Sequence, residues 1–101
     1  MEFDHRFDYD GDPLEIIKDL GFLKLPSSSI EDMVYEVYRL TLDEEAYQNE
    51  EVRIDMTIVK PKESSNYAYF EICDKFSVFT RVNIKSRNDL INLINLLTSK
   101  K

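Results

Sequence analysis

The chain has 101 residues, of which 43% are hydrophobic, and its formal net charge is −7. Its length predicts one domain over residues 1–101. Six Phe and six Tyr exclude an acidic disordered tail, which lacks such aromatics. One Cys and one His exclude both an internal disulfide and a Cys/His zinc site.

The charge is unevenly divided along the chain. Residues 1–55 contain sixteen Asp or Glu against five Lys or Arg, a local net charge of −11. Residues 56–101 contain four Asp or Glu against eight Lys or Arg, a local net charge of +4. An acidic half repels nucleic acid and acidic membranes, and it attracts basic protein surfaces over about 8 Å in physiological salt.

The N-terminal part begins with an acidic stretch, 1–11, that lacks periodic apolar spacing and predicts an extended lead-in. A short helix is then expected. Asp12 is its predicted N-cap, Pro13 takes the first helical position and Glu15 completes a capping-box pattern. Gly21 predicts its end.

The next segments indicate extended chain. Residues 22–32 predict a brief extended piece and a turn. For 34–42, both a helix and a strand are open, and the dominance of β-branched and aromatic residues favours the strand. From 52 to 58, apolar and polar residues alternate, which predicts a half-buried strand whose wet face carries Arg53 and Asp55.

Two more strands, 67–73 and 76–84, are predicted around a two-residue turn at Asp74 and Lys75. The last element is an amphipathic helix over 86–98. Strands joined by short turns pair antiparallel. The expected fold is therefore α+β: a four-stranded antiparallel β-meander with the short N-terminal helix and the C-terminal amphipathic helix packed on one face.

No catalytic motif is present. Cys73 lies in an apolar run and has the character of a small buried hydrophobe, while the single histidine, His5, lies in the polar N-terminal stretch. No Gly-rich phosphate loop occurs. A non-enzymatic protein without a cofactor is predicted. Without a secretion signal or an apolar run of about 18 residues, we expect it in the cytoplasm.

The Asp8–Asp12 loop suggests a different kind of function, calcium binding. Asp8, Asp10 and Asp12, with Asp19 eleven residues after Asp8, resemble an EF-hand calcium loop, although Pro13 stands where that loop needs Gly. The twelfth position is also Asp rather than Glu. A calcium-binding module is therefore an alternative hypothesis.

The carboxylates gather in two runs that include tyrosines, and exposed tyrosines are good interface anchors. Carboxylates on a rigid surface can mimic phosphates and occupy the Lys/Arg groove of a nucleic-acid-binding protein. The predicted partner-binding residues are Asp8, Asp10, Asp12, Asp43, Glu44, Glu45, Tyr47, Glu50, Glu51 and Asp55.

Small size, high acidity, a β-meander and the absence of catalytic chemistry are together similar to phage-encoded nucleic-acid mimics, such as anti-CRISPR and anti-restriction proteins. This resemblance is one of type, since no family motif is matched. It implies an inhibitor or adaptor that binds a basic protein in an infected host cell, without direct nucleic-acid or membrane contact. An immunity protein or antitoxin that neutralises a cationic nuclease toxin, and a homodimer, are alternatives.

Overall fold

A computed structural model describes residues 6–8, 12–42, 52–73 and 79–98, with the backbone alone at 6–8 and 79. The elements of this part of the chain are, in order, β1 (Arg6–Asp8), α1 (Pro13–Ile17), β2 (Leu23–Lys24), β3 (Ser28–Ile30), β4 (Met33–Thr41), β5 (Arg53–Pro61), β6 (Tyr67–Cys73), β7 (Phe79–Val82) and α2 (Arg87–Thr98). The fold is α+β, as predicted.

The centre of the sheet is the predicted meander. Strands β4, β5, β6 and β7 each pair antiparallel with the next. The strand interpretation of 34–42 is confirmed by β4, and β6 has the predicted bounds. The prediction of a two-residue turn at Asp74 and Lys75 is wrong, because Cys73 pairs with Phe79 rather than with Phe76. The connection is therefore longer, and residues 74–78 lie outside the described part.

Short strands complete both edges of the sheet. β1 and β7 pair with successive parts of β6, while β2 and β3 pair with successive parts of β4. Four strands were predicted, and the described residues form seven. The lead-in 1–11 thus contains a strand at Arg6–Asp8. Two or three residues are too few to show alternation, so pairing with a longer neighbour decides their conformation.

The hydrophobic core lies on one face of the sheet, which carries the even-numbered residues of β4 to β7. Both helices pack there, as predicted, with Ile17 of α1 and Leu90 of α2 buried against the sheet. The buried sheet and loop residues of this core are Leu42, Val52, Ile54, Met56, Ile58, Ala68, Phe70 and Ile84. We call the opposite face, with the odd-numbered residues of β4 to β7, the outer face.

The outer face of β5 differs from the prediction. Arg53 is half-buried, and Asp55 and Thr57, expected on a wet face, are only 5% and 6% exposed, while Val59 is fully buried. The reason is lateral cover, because β5 is the middle strand and its short side chains are covered by longer ones from β4 and β6. Arg39 binds Asp55 from one side, and Tyr69 lies opposite Thr57 on the other.

The two helices are joined by Arg87. Its Nη1 donates to the carbonyl oxygens of Glu15, Ile16 and Lys18 at 3.4, 3.4 and 2.5 Å. A guanidinium at a helix C-terminus satisfies orphan carbonyls and complements the helix dipole. No described helix is long and apolar enough to cross a bilayer.

α1 is shorter than the sequence pattern predicts. Asp12 is its N-cap and accepts the Leu14 N–H at 3.3 Å. The helix ends at Ile17, before Gly21, because Lys18 leaves the helical region at ψ 133° and Asp19 follows in a left-handed conformation at φ 63°. Asp tolerates this region better than most residues.

Candidate protein-binding surface

A row of four charged side chains crosses the outer face. Arg39 of β4 is opposite Asp55 of β5, Asp55 is opposite Glu71 of β6, and Glu71 is opposite Arg81 of β7. We call these four residues the charge row. Like charges directly opposite each other destabilise a sheet. Each carboxylate of the row therefore depends on the arginine beside it.

The distances show that the row is internally paired. Arg39 Nε lies 2.8 Å from Asp55 Oδ1, and Nη2 lies 2.9 Å from Oδ2, a bidentate arrangement. Arg81 Nε lies 3.7 Å from Glu71 Oε2, where the arginine is 48% exposed. The inner pair is the tighter and more buried of the two.

A third cation of the sheet is paired on the helix-bearing face. Lys60 Nζ of β5 donates to Glu36 Oε2 of β4 at 3.1 Å. Arg39, Lys60 and Arg81 are thus all engaged by carboxylates of neighbouring strands. Phosphate binding needs accessible Lys and Arg charge. The described sheet therefore does not present these three cations as a free basic stripe.

Tyr69 lies next to the charge row. The Arg81 guanidinium sits 3.8 Å from the centre of its ring, a cation–π contact, and the Tyr67 ring stacks on it with a centroid distance of 6.4 Å. Burial raises the pKa of the Tyr69 hydroxyl, and the Glu71 carboxylate acts in the same direction, while Arg81 and the hydrogen bond with Thr57 partly oppose them.

Cys73 is fully buried at the end of β6, which confirms the sequence interpretation. Its Sγ accepts a hydrogen bond from Arg53 Nη2 at 3.0 Å. The Nε of Arg53 is buried and has no hydrogen-bond partner among the described residues. The thiol therefore packs beneath the arginine and is shielded from solvent.

The exposed carboxylates of the described part lie outside the sheet interior. Those near the helices belong to α1 with its flanks and to the start of α2, and others lie in the turns. They are Asp12, Glu15, Asp19, Glu31, Asp32, Glu63 and Asp89. The exposed Lys and Arg of the same part are Lys18, Lys24, Lys62, Arg81 and Lys85. Carboxylates are thus the more numerous exposed charges.

The most acidic segment of the chain connects the two long central strands. The N–H of Leu42, just after β4, donates to the carbonyl of Val52, just before β5, at 2.9 Å. Leu42 and Val52, which flank segment 43–51, therefore lie side by side at one end of the sheet. That segment contains five carboxylates and no Lys or Arg.

The predicted partner-binding residues fall into three groups. Asp55 is buried and paired with Arg39, so it adds no exposed negative charge, contrary to the wet face expected for its strand. Asp12 is exposed, and Asp8 lies in β1 opposite Tyr67. The others lie outside the described residues: Asp10, Asp43, Glu44, Glu45, Tyr47, Glu50 and Glu51.

The calcium hypothesis gains no support from the described residues, since they contain no cluster of three metal-ligating side chains. Asp12 Oδ1 is engaged as a helix cap, and Asp10 is not among the described residues.

The sequence analysis did not find the charge row. Its members come from four strands and are 10 to 16 residues apart along the chain, so only the register brings them together. The alternation of β5 did place Arg53 and Asp55 on one face, which was the one available signal. Comparison with known proteins adds no identification, since no family model, curated protein or solved structure matches this chain.

Proposed function

We propose that this protein is a non-enzymatic inhibitor or adaptor that binds a basic protein surface. The working surface is the acidic segment 43–51, with Asp43, Glu44, Glu45, Glu50 and Glu51, and Tyr47 as an aromatic anchor. Asp12, at the N-terminus of α1, is an exposed carboxylate of the same predicted set. Electrostatic attraction of this kind gives fast association and strong dependence on salt.

The observation that carries the proposal is the pairing of three cations of the sheet. Because Arg39, Lys60 and Arg81 are each bound to a carboxylate of the adjacent strand, those positive charges are offset within the sheet. The charged residues of segment 43–51 are all carboxylates. This distribution favours a basic protein partner over direct binding of nucleic acid.

The sharper form of the proposal is a phosphate mimic. The carboxylates of segment 43–51 would occupy the Lys/Arg groove of a nucleic-acid-binding protein and block it, as phage-type anti-CRISPR and anti-restriction proteins do. A cationic nuclease toxin also presents a surface rich in Lys and Arg, so it could be bound in the same way. The identity of the captured protein distinguishes the inhibitor from the immunity-protein reading. Both place the protein in the cytoplasm.

The test is a tagged pull-down from the native host at low and high salt, with partners identified by mass spectrometry. The reversal Glu44→Lys with Glu45→Lys takes the net charge from −7 to −3. Its matched control is Glu63→Lys with Ser64→Lys and Ser65→Lys, which also gives −3, in the exposed turn at the far end of β5. Loss of one basic partner only in the first variant is expected. Equal loss in both would mean that net charge, not this surface, holds the partner.

A further inference from the structure

Exposed apolar side chains concentrate at the β2–β3 edge of the sheet. Among the described residues, the large apolar side chains there are Leu23, 71% exposed, Ile30, 60%, Met33, 38%, and Val34, 37%. Two other exposed ones, Leu14 and Leu96, lie apart on the two helices. A local group of exposed apolar residues marks an interaction surface.

Three of these four residues, Leu23, Ile30 and Met33, share one face, while Val34 is on the helix-bearing face. Leu23 pairs with Arg39 and Ile30 pairs with Met33, and both partners are odd-numbered residues of β4, so they lie on the outer face. Tyr35 is on the same face, and its hydroxyl lies 3.3 Å from Met33 Sδ. A shallow cavity of about 370 Å³ is lined by Ile30, Glu31, Asp32, Met33 and Tyr35. Leu23 lies at the other end of the same edge.

The two ends of the edge carry opposite charge. Lys24 is exposed at the β2 end. At the β3 end, Glu31 and Asp32 are exposed and outnumber the one exposed lysine there, Lys62, whose N–H donates to the Asp32 carbonyl at 2.8 Å. Within the described part of the chain, Lys24, Glu31 and Asp32 form no ion pair. Lys24 is opposite Tyr38 and Ile30 is opposite Met33, so five residues of β4, about 17 Å, separate the two ends.

We propose that this edge is the contact of a two-fold symmetric homodimer. A two-fold rotation places the β2 end of one copy against the β3 end of the other, twice. Leu23 of each copy then packs into the cavity beside Ile30 and Met33 of the other. Lys24 of each copy pairs with Glu31 and Asp32 of the other. A partner with charge of a single sign would be repelled at one end, which is why a second copy fits best.

The contact depends on side chains more than on a continuous backbone ladder. Pro26 lies between β2 and β3 and has no N–H, so it removes one donor from the edge. Natural sheets use proline in this way to limit edge pairing. The dimer is therefore expected to dissociate on dilution, and its charge pairs make it sensitive to salt.

The test is the mass of the protein in solution, measured by size-exclusion chromatography with light scattering over a range of concentrations. The wild type should approach twice the chain mass of 12.0 kDa at high concentration. Ile30→Glu should remain monomeric. Leu96→Glu, an equivalent change at an exposed apolar residue on α2, should dimerise as the wild type does. Thermal melts check that both variants fold.

A charge exchange tests the symmetry itself. Lys24→Glu alone and Glu31→Lys alone should each weaken the dimer by about tenfold, since each sets like charges together at both ends. An equimolar mixture of the two single variants should form a heterodimer, because both of its ends are then complementary. The double variant should recover the wild-type affinity. A wild type that is monomeric at every concentration, dimerisation of Ile30→Glu, or a mixture that stays monomeric would overturn the proposal.

Discussion

Arg39 and Asp55 face each other across the two central strands, and their bidentate contact lies beside a second carboxylate, Glu71. Arg39 therefore has two effects. It satisfies both oxygens of a carboxylate that is 5% exposed, and it offsets the repulsion between Asp55 and Glu71. In the charge row as a whole, two arginines offset two carboxylates, so the row adds no net negative charge to the acidic molecule.

We expect Arg39→Met to lower the free energy of unfolding by about 1–3 kcal/mol, because it leaves a buried carboxylate without its strongest donor. Urea denaturation followed by circular dichroism measures this. Lys60→Met is the matched control, since it breaks a cross-strand pair whose lysine side chain is 36% exposed, and it should cost no more than about 1 kcal/mol. Equal costs for the two variants would contradict the special role of the inner pair.

Because the pKa of Tyr69 is raised in the folded protein, we expect the protein to lose stability at alkaline pH. Burial and Glu71 raise this pKa in the folded state, whereas the unfolded tyrosine ionises near pH 10. As pH rises through about 10, the unfolded state loses this proton before the folded state does, so the free energy of unfolding falls. Tyr69→Phe should show a smaller decline when denaturation curves are compared between pH about 9 and about 11. An unchanged decline would show that Tyr69 does not contribute.

We expect two leucines of the C-terminal helix to differ in their contribution to stability. Leu90 is fully buried against the sheet and Leu96 is 73% exposed. Leu90→Ala should cost about 2–5 kcal/mol because it leaves a cavity. Leu96→Ala should change stability by no more than about 0.5 kcal/mol. Thermal denaturation of the two variants measures the difference, and a comparable loss from Leu96→Ala would mean that α2 packs differently.

We expect the thiol of Cys73 to react slowly with alkylating reagents in the folded protein. Cys73 is fully buried beneath Arg53, and it is the single cysteine of the chain, so alkylation reports on one site. The folded protein should react with iodoacetamide far more slowly than the urea-unfolded protein, because reaction requires an accessible thiolate. Similar rates in both states would place the thiol at the surface.

The sequence predicted the elements that have a strong local pattern. The 3.6-residue spacing around Leu90 identified α2, and the β-branched and aromatic residues around Val37 identified β4. The edge strands β1, β2 and β3 are too short to show such a pattern. Backbone pairing with β4 and β6 determines their extended conformation, so the sequence did not reveal them. The length of the β6–β7 connection was also missed, since no glycine marks the turn.

The candidate surface was less predictable than the fold. Alternation in β5 placed Asp55 on the face opposite the helices, but burial of that residue depends on Arg39, sixteen residues earlier in the chain. Alternation assigns a residue to a face and does not say whether that face is wet. The charge of segment 43–51 is a property of composition, so it was evident from the sequence. That its flanking residues, Leu42 and Val52, lie side by side is seen only in the structure.

The most direct test of the proposed acidic binding surface is the affinity of the purified protein for the partner that the pull-down identifies, measured by calorimetry at several salt concentrations. We predict that the affinity falls steeply with salt, and that reversing Glu44, Glu45, Glu50 and Glu51 to Lys abolishes binding while the melting temperature is unchanged. Complex formation that survives both the four reversals and about half-molar salt, where the Debye length is only a few ångströms, would contradict the account.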